Sequence, residues 1–163
     1  MQPFKDATIL STAKHFIWYK PMTWLPVIIR FFTGGMVSHS AVVINIDGIC
    51  MVAESKVPKV QLQTLESWLI PHMDVYATIP NSIPEDFRNK VLSKVGVCKY
   101  DYRGLFFTQP FHILTGIWIP TGQGEKGEPF TCSEFVSYVL GVPEPWKLAP
   151  MDLLTKYNNW EKI

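Results

Sequence analysis

The feature that most constrains the fold is an Asp-Gly pair, Asp47-Gly48, lying between two apolar runs. Such a pair is a strong signal for a β-hairpin closed by a two-residue turn. That turn pairs Ile46 with Ile49, and counting outward places Glu54 opposite Ala41. A slip of one residue would move every side chain to the other face, so the turn also predicts which residues share a face.

The same register predicts an imidazole beside a carboxylate. His39 and Ala41 lie on one face of the first strand, which makes Glu54 a diagonal neighbour of His39. Diagonal neighbours are about 7–8 Å apart at the backbone, within reach of long side chains. Taken singly, His39 is more typical of a structural histidine and Glu54 of a solvated strand end. Their predicted proximity favours a shared chemical role.

A second informative stretch, Thr131-Cys132-Ser133-Glu134, predicts the start of a helix that runs to Leu140 and is stopped by Gly141. The first and last of the four residues have the spacing of a capping box. A thiol in the first turn lies near free N–H groups and the positive helix end, which favour a thiolate. A lone Cys on an apolar stripe is more often core filling. The residues predicted to face away from the apolar stripe are Ser133, Glu134 and Ser137.

Together, Cys132, His39 and Glu54 are the parts of a cysteine hydrolase. Cys132 would attack a carbonyl carbon, His39 would take and return the proton, and Glu54 would hold the imidazole and stabilise its charged form. The backbone N–H of Cys132, at the helix start, could donate to the oxyanion. The sequence alone does not bring Cys132 to the other two residues.

Four stretches carry a family likeness: 6–10 (DATIL), 38–43 (SHSAVV), 52–54 (VAE) and 130–136 (FTCSEFV). In this order they resemble the permuted papain-like amidohydrolases, circularly permuted relatives of NlpC-type peptidases that include the lecithin–retinol acyltransferase-like group. The resemblance implies a papain-like, circularly permuted fold, a Cys–His–polar triad, and cleavage or transfer at an amide or ester.

Softer matches at 100–102 and 149–154 extend the resemblance. They make Tyr100 the best candidate for a substrate or oxyanion contact. Tyr102 is the second predicted substrate-binding residue, although it could equally be a core aromatic. His112 is a further candidate for the pocket, whereas His15 and His72 have no sequence partners and are interpreted as structural.

Composition fits a single domain over residues 1–163. The chain is 47% hydrophobic and 18% charged with a formal net charge of +1, which argues against disorder and against binding to nucleic acid. Three cysteines do not suggest a disulfide framework, so Cys50 and Cys98 are interpreted as buried thiols. No CxxC or HExxH motif occurs, and we predict neither a metal nor a cofactor.

Neither a secretory signal nor a transmembrane segment is predicted, because the N-terminus lacks a charged region, an apolar core and a cleavage site in series. The apolar stretch 16–32 is interrupted by Lys20, Pro21, Pro26 and Arg30. Its pattern favours a surface or core helix over about 23–33, with lipid contact as the alternative. The missing signal leaves the cellular location open, with a cytoplasmic enzyme or one delivered by a phage or host as the alternatives.

The remaining patterns predict a strand at 59–63, a short helix at 64–70, a strand at 73–79, a helix at 84–97 and a Gly-rich loop at 121–129. Both faces of the hairpin are apolar, so the sheet needs cover on both sides. We therefore expect an α+β domain with an antiparallel sheet, in which the Cys132 helix packs on the face that carries His39.

Three functions compete at this point. The leading one is a cysteine amidase or peptidase that cleaves a small peptide amide, in particular in peptidoglycan. The second is a thiol acyltransferase or lipid esterase, which the aromatic stretches 16–32 and 105–119 favour. The third is a non-enzymatic binding module of the same fold, against which the intact triad argues. The first two share their chemistry and differ in pocket shape.

Overall fold

One six-stranded sheet organises the residues that the computed structural model describes, which are 4–12, 36–72, 74–117 and 129–163. Neighbouring strands are antiparallel, in the order β4-β3-β2-β1-β5-β6. The strands are β1 (Ile9–Thr12), β2 (His39–Ile46), β3 (Ile49–Lys56), β4 (Lys59–Thr64), β5 (Val75–Thr78) and β6 (Glu161–Lys162). The predicted 23–33 helix, His15 and nearly all of the 121–129 loop lie outside the described residues.

Helices and helical turns make up the rest of the regular structure. They are α1 (Leu65–Leu69), α2 (Phe87–Lys94), a π-helical turn (Gly104–Thr108), α3 (Gln109–Thr115), α4 (Cys132–Val139), a 3-10 turn (Pro145–Lys147) and α5 (Pro150–Lys156). The predicted combination of helices with an antiparallel sheet is confirmed. Among the described residues, no helix has both the length and the hydropathy needed to cross a membrane.

The β2–β3 hairpin forms in the predicted register. Asp47 and Gly48 both have positive φ, 50° and 81°, as a type I′ turn requires. Ile46 pairs with Ile49, and the pairing continues outward to Val42 with Ala53. The next step of this ladder places Ala41 opposite Glu54, so the turn chemistry predicted the pairing correctly.

Helix α4 has the predicted capping box, in which Thr131 and Glu134 each bind the backbone of the other. Its C-terminal end is followed by Gly141 in the left-handed region, at φ 68°. Ser133, Glu134 and Ser137, which were predicted to face away from the apolar stripe, are all buried. The cause is tertiary packing, because α2, α5 and the 3-10 turn also pack against α4.

Apolar side chains cover both faces of the sheet, as predicted, but α4 lies on the other face from the one expected. The α4 residues Phe135 and Val136 cluster with Val42 and Ile44. The face that carries His39 instead packs against α1, and its buried side chains are Leu10, Ala41, Val43, Val52, Trp68, Val75 and Ala77. The larger aliphatic side chains of β2 point toward α4, and the alternating apolar pattern alone could not select between the two faces.

The smaller predicted elements are present with shifted ends. The 59–63 and 73–79 strands correspond to β4 and β5, and the 64–70 helix to α1. The 84–97 helix is shorter than predicted, because α2 ends at Lys94. Beyond it, Gly96 donates to the Val60 carbonyl at 2.8 Å and Val60 donates to that of Cys98 at 2.9 Å. Residues 96–98 thus pair with β4, an edge strand of the sheet, and this pairing ends the helix.

Candidate active site

A histidine–carboxylate pair lies where the hairpin register places it. His39 is the first residue of β2, and Glu54 lies near the end of β3. The distance from His39 Nε2 to Glu54 Oε2 is 2.5 Å. The carboxylate is completely buried and the imidazole is 14% exposed, so this pair is largely shielded from water.

Four hydrogen-bond donors surround the buried Glu54 carboxylate. Oε2 accepts from His39 and, at 3.0 Å, from Trp68 Nε1. Oε1 accepts from the side-chain amides of Gln61 at 2.8 Å and Gln63 at 2.9 Å. A buried carboxylate needs such donors, since it has lost its hydration. The sequence interpretation missed both glutamines and Trp68, although the pairing of β4 with β3 puts Gln61 directly opposite Glu54.

The start of α4 is fixed to the sheet through the backbone of Phe130. Its carbonyl accepts from Ser55 Oγ at 2.7 Å and from the Asp101 N–H at 3.0 Å, and its own N–H donates to Lys99 at 3.0 Å. Ser55 follows Glu54 on β3, so these bonds hold the Cys132 end of α4 next to the carboxylate strand. They explain how two distant parts of the sequence meet.

The Cys132 thiol completes a chain of hydrogen bonds with the pair. Hydrogen bonding with the His39 imidazole and with the backbone of Ser40 and Ser133 stabilises its thiolate form and lowers the pKa of the thiol. Because Nε2 of His39 is bonded to Glu54, Nδ1 is the nitrogen left for the thiol. Cys132 is the first residue of α4 and His39 is the first residue of β2, and the two meet at the beginning of β2. The body of α4 packs on the opposite face of the sheet.

The electrostatics of this site favour a charged thiolate–imidazolium pair. Burial alone would raise the pKa of Cys132, but the hydrogen bond and charge of His39 lower that pKa below its usual value. Burial alone would lower the pKa of His39, but hydrogen bonds with Cys132 and Glu54 raise it to about 9. Burial would likewise raise the pKa of Glu54, yet the His39 hydrogen bond and charge hold it well below its usual range.

The two predicted tyrosines differ in their relation to the thiol. Tyr100 is buried, and burial raises the pKa of its phenol, with the nearby charge of Cys132 as the next contribution. A parallel backbone bridge to Phe130 holds it beside the start of α4. The Tyr102 ring is 5.3 Å from that of Tyr100, but this side chain is 44% exposed. The structure brings Tyr100 to the thiol and leaves Tyr102 on the solvent side.

The histidines outside the triad have different surroundings. His72 is stacked on Trp68 with ring centroids 4.1 Å apart, and its ring is nearly parallel to that of His39 at 6.2 Å. It therefore supports the side chains that contact Glu54, which its sequence position gave no reason to expect. His112 instead lines a cavity with Lys147, Leu148, Asp152, Thr155 and Lys156, none of which belongs to the triad.

Comparison of the chain with protein-family models and with curated proteins finds no match. The chemistry of the site is therefore interpreted from its geometry. A buried thiol whose pKa is lowered, an imidazole whose pKa is raised and a carboxylate behind the ring form an arrangement that can activate a sulfur nucleophile. Among the described residues, no group of three or more His, Cys, Asp or Glu side chains is arranged to hold a metal ion.

We expect iodoacetamide to alkylate Cys132 faster than Cys50 or Cys98 in the native protein, because the thiolate is the reactive form. Cys50 is the matched control, since it is more exposed than Cys132 and accessibility alone would favour it. The rates are measured by peptide mass spectrometry during a time course. Faster labelling of Cys50 or Cys98 would contradict the assignment of Cys132 as the activated thiol.

Proposed function

We propose that the protein is a cysteine hydrolase that cleaves an amide bond through an acyl-enzyme on Cys132. The supporting observation is the hydrogen-bonded series of Cys132, His39 and Glu54. The thiolate attacks the carbonyl carbon and forms a C–S bond, and the His39 imidazolium gives its proton to the departing amine as the C–N bond breaks. His39 then takes a proton from water, and the resulting hydroxide attacks the thioester carbon. The C–S bond breaks, which releases the acid and restores the Cys132 thiolate and the His39 imidazolium.

Two donors are suited to the oxyanion of the tetrahedral intermediate. The capping box uses the backbone N–H groups of Thr131 and Glu134, and leaves that of Cys132 outside the cap. The Tyr100 phenol is the second candidate donor, since the backbone bridge from Tyr100 to Phe130 places this residue beside the start of α4 and burial keeps its hydroxyl protonated. Donors that are already in place at the developing charge lower the barrier without reorganisation.

We also propose that the domain is a permuted papain-like domain over residues 1–163. The support is the chain order His39, Glu54, Cys132, combined with an antiparallel sheet and a nucleophile at the first position of a capped helix. In this interpretation the site residues take the roles that the family likeness implies.

The favoured substrate is a small peptide amide such as those in peptidoglycan, in keeping with the NlpC-type resemblance. The test is to incubate wild-type protein and Cys132→Ala with isolated peptidoglycan stem peptides and follow the products by mass spectrometry. Support would be two Cys132-dependent fragments whose masses sum to that of the peptide plus one water, one of them with a new amino terminus. If no stem peptide is cleaved while esters are turned over, the amide assignment is wrong.

A second candidate substrate is an acyl lipid, and one observation favours it. Apolar side chains are exposed on the π-helical turn, on α3 and just after it, namely Phe107, Phe111, Leu114 and Ile117. A surface of this kind matches an acyl chain better than a polar peptide. Phospholipid vesicles in the same assay distinguish the two, because a lipid esterase releases fatty acid and a transferase passes the acyl group to an added amine or thiol.

The charged pair implies a bell-shaped pH dependence of kcat/KM. On the acid side, activity is lost as the Cys132 thiolate takes up a proton. On the alkaline side, it is lost as the His39 imidazolium releases its proton, near pH 9. The measurement is kcat/KM for a substrate that wild type turns over, in buffers of constant ionic strength. An alkaline limb near the ordinary histidine pKa of about 6.5 would contradict the ion pair.

A further inference from the structure

The second oxygen of the Glu54 carboxylate has its own pair of donors, which the proposed mechanism does not use. Oε2 faces His39, whereas Oε1 accepts from Gln61 and Gln63, at alternate positions of β4. We propose that these two glutamines are positioning residues that keep Glu54 aimed at His39. This inference rests on the proposed function, because it assigns them a role within the same catalytic unit.

The geometry gives the amides a specific task. A glutamate side chain has three rotatable bonds, so the hydrogen bonds that His39 and Trp68 donate to Oε2 still leave the carboxylate free to turn about that oxygen. Two amides on Oε1 fix the carboxylate plane, since both oxygens are then held. Gln61 lies directly opposite Glu54 in the β3–β4 ladder, and Gln63 follows two residues later on the same face. A rigid strand therefore carries both donors.

A competing cation makes this anchoring necessary. The ammonium of Lys56 is 3.7 Å from Glu54 Oε1, and the Lys56 side chain is 39% exposed. Its charge therefore lies near the oxygen that does not face His39 and competes with the imidazole for the carboxylate. The glutamine amides satisfy Oε1 without a charge, so His39 remains the cation that the carboxylate stabilises most directly. The two glutamines hold Oε1 with neutral donors, and Oε2 accepts the charged hydrogen bond from His39 that the proposed catalysis uses.

The test is a double-mutant cycle that does not depend on turnover. The variants are Gln61→Met, Gln63→Met and the two combined, each made in the wild type and in Glu54→Gln. Methionine matches glutamine in length and lacks the donor. Lys59→Met, at an exposed position of the same strand, is the control. The readouts are the His39 pKa from ring NMR signals, the rate of Cys132 alkylation at pH 7, and thermal stability.

Each single variant should slow alkylation by about threefold, because the other amide still holds Oε1. The combined variant should slow it by about tenfold or more and lower the His39 pKa by about one unit, since bonds to charged groups are among the stronger ones. In the Glu54→Gln background, the same changes should alter the rate by less than about twofold. Lys59→Met should leave the alkylation rate and the His39 pKa unchanged.

Equal effects in both backgrounds would overturn the proposal, since glutamines that act through Glu54 cannot matter once its charge is gone. An unchanged His39 pKa in the combined variant would overturn it too. If the combined variant does not fold, the two single variants complete the same cycle. Failure of the proposed function would look different: Cys132→Ala would turn substrate over normally, whatever the alkylation cycle shows.

Discussion

Replacing Cys132 by Ala is expected to lower kcat by at least about 10⁴-fold on any substrate that the wild type turns over, because the nucleophile is lost. Folding should be nearly unaffected. The residue is small and lies at a helix end, so the free energy of unfolding should change by only about 1 kcal/mol. The measurements are steady-state kinetics and urea unfolding of both proteins.

Cys98→Ala is the matched control for this prediction. Cys98 is a fully buried cysteine within the core cluster, and it is not part of the triad. The substitution should cost stability through the small cavity it leaves, while kcat/KM stays within about twofold of wild type. Equal turnover by Cys132→Ala and wild type would remove the covalent mechanism and leave a binding module as the better interpretation.

His39→Ala is expected to lower kcat about as severely as Cys132→Ala, because the two residues act as one unit. For the same reason, the double variant should be little worse than either single variant. Glu54→Gln should be milder, at roughly ten- to a hundredfold, because the ring keeps a hydrogen-bond partner and loses only the charge that stabilises imidazolium. The measurement is kcat/KM across the pH range for all three variants.

His112→Ala is the control for the histidine substitution, since His112 lines a separate cavity. It should leave kcat/KM within about twofold of wild type. A His39→Ala variant that retained more than about a tenth of wild-type activity would contradict a role for His39 as general acid and base.

Local chemistry in the sequence was sufficient to predict the two halves of the site. The Asp47-Gly48 turn sets the hairpin register, and the register places Glu54 near His39. The Thr131–Glu134 capping box marks the start of the helix that carries Cys132. Both signals depend on residues within a few positions of one another, which is why they could be interpreted without a structure.

The parts that the sequence did not predict depend on long-range packing. Apolar residues on both faces of β2 gave no physical basis for choosing a face for α4, and the predicted face, the one that carries His39, was wrong. The contacts of Phe130 with Ser55 and Asp101 join segments far apart in the chain. To predict that Gln61 and Gln63 donate to Glu54, the register of a second hairpin is required, in which the Val57-Pro58 turn pairs Lys56 with Lys59. With that turn assigned, the position of Gln61 could have been predicted as well.

The most direct test of the central claim is to detect the acyl-enzyme. Wild-type protein is mixed with 4-nitrophenyl acetate at pH 7, quenched within the first turnover and mapped by peptide mass spectrometry, with Cys132→Ala as the control. The account predicts one acetyl group on Cys132, present as a thioester that hydroxylamine removes, and no release burst in the variant. Acetylation only at Cys50 or Cys98, or an equal burst from Cys132→Ala, would contradict it.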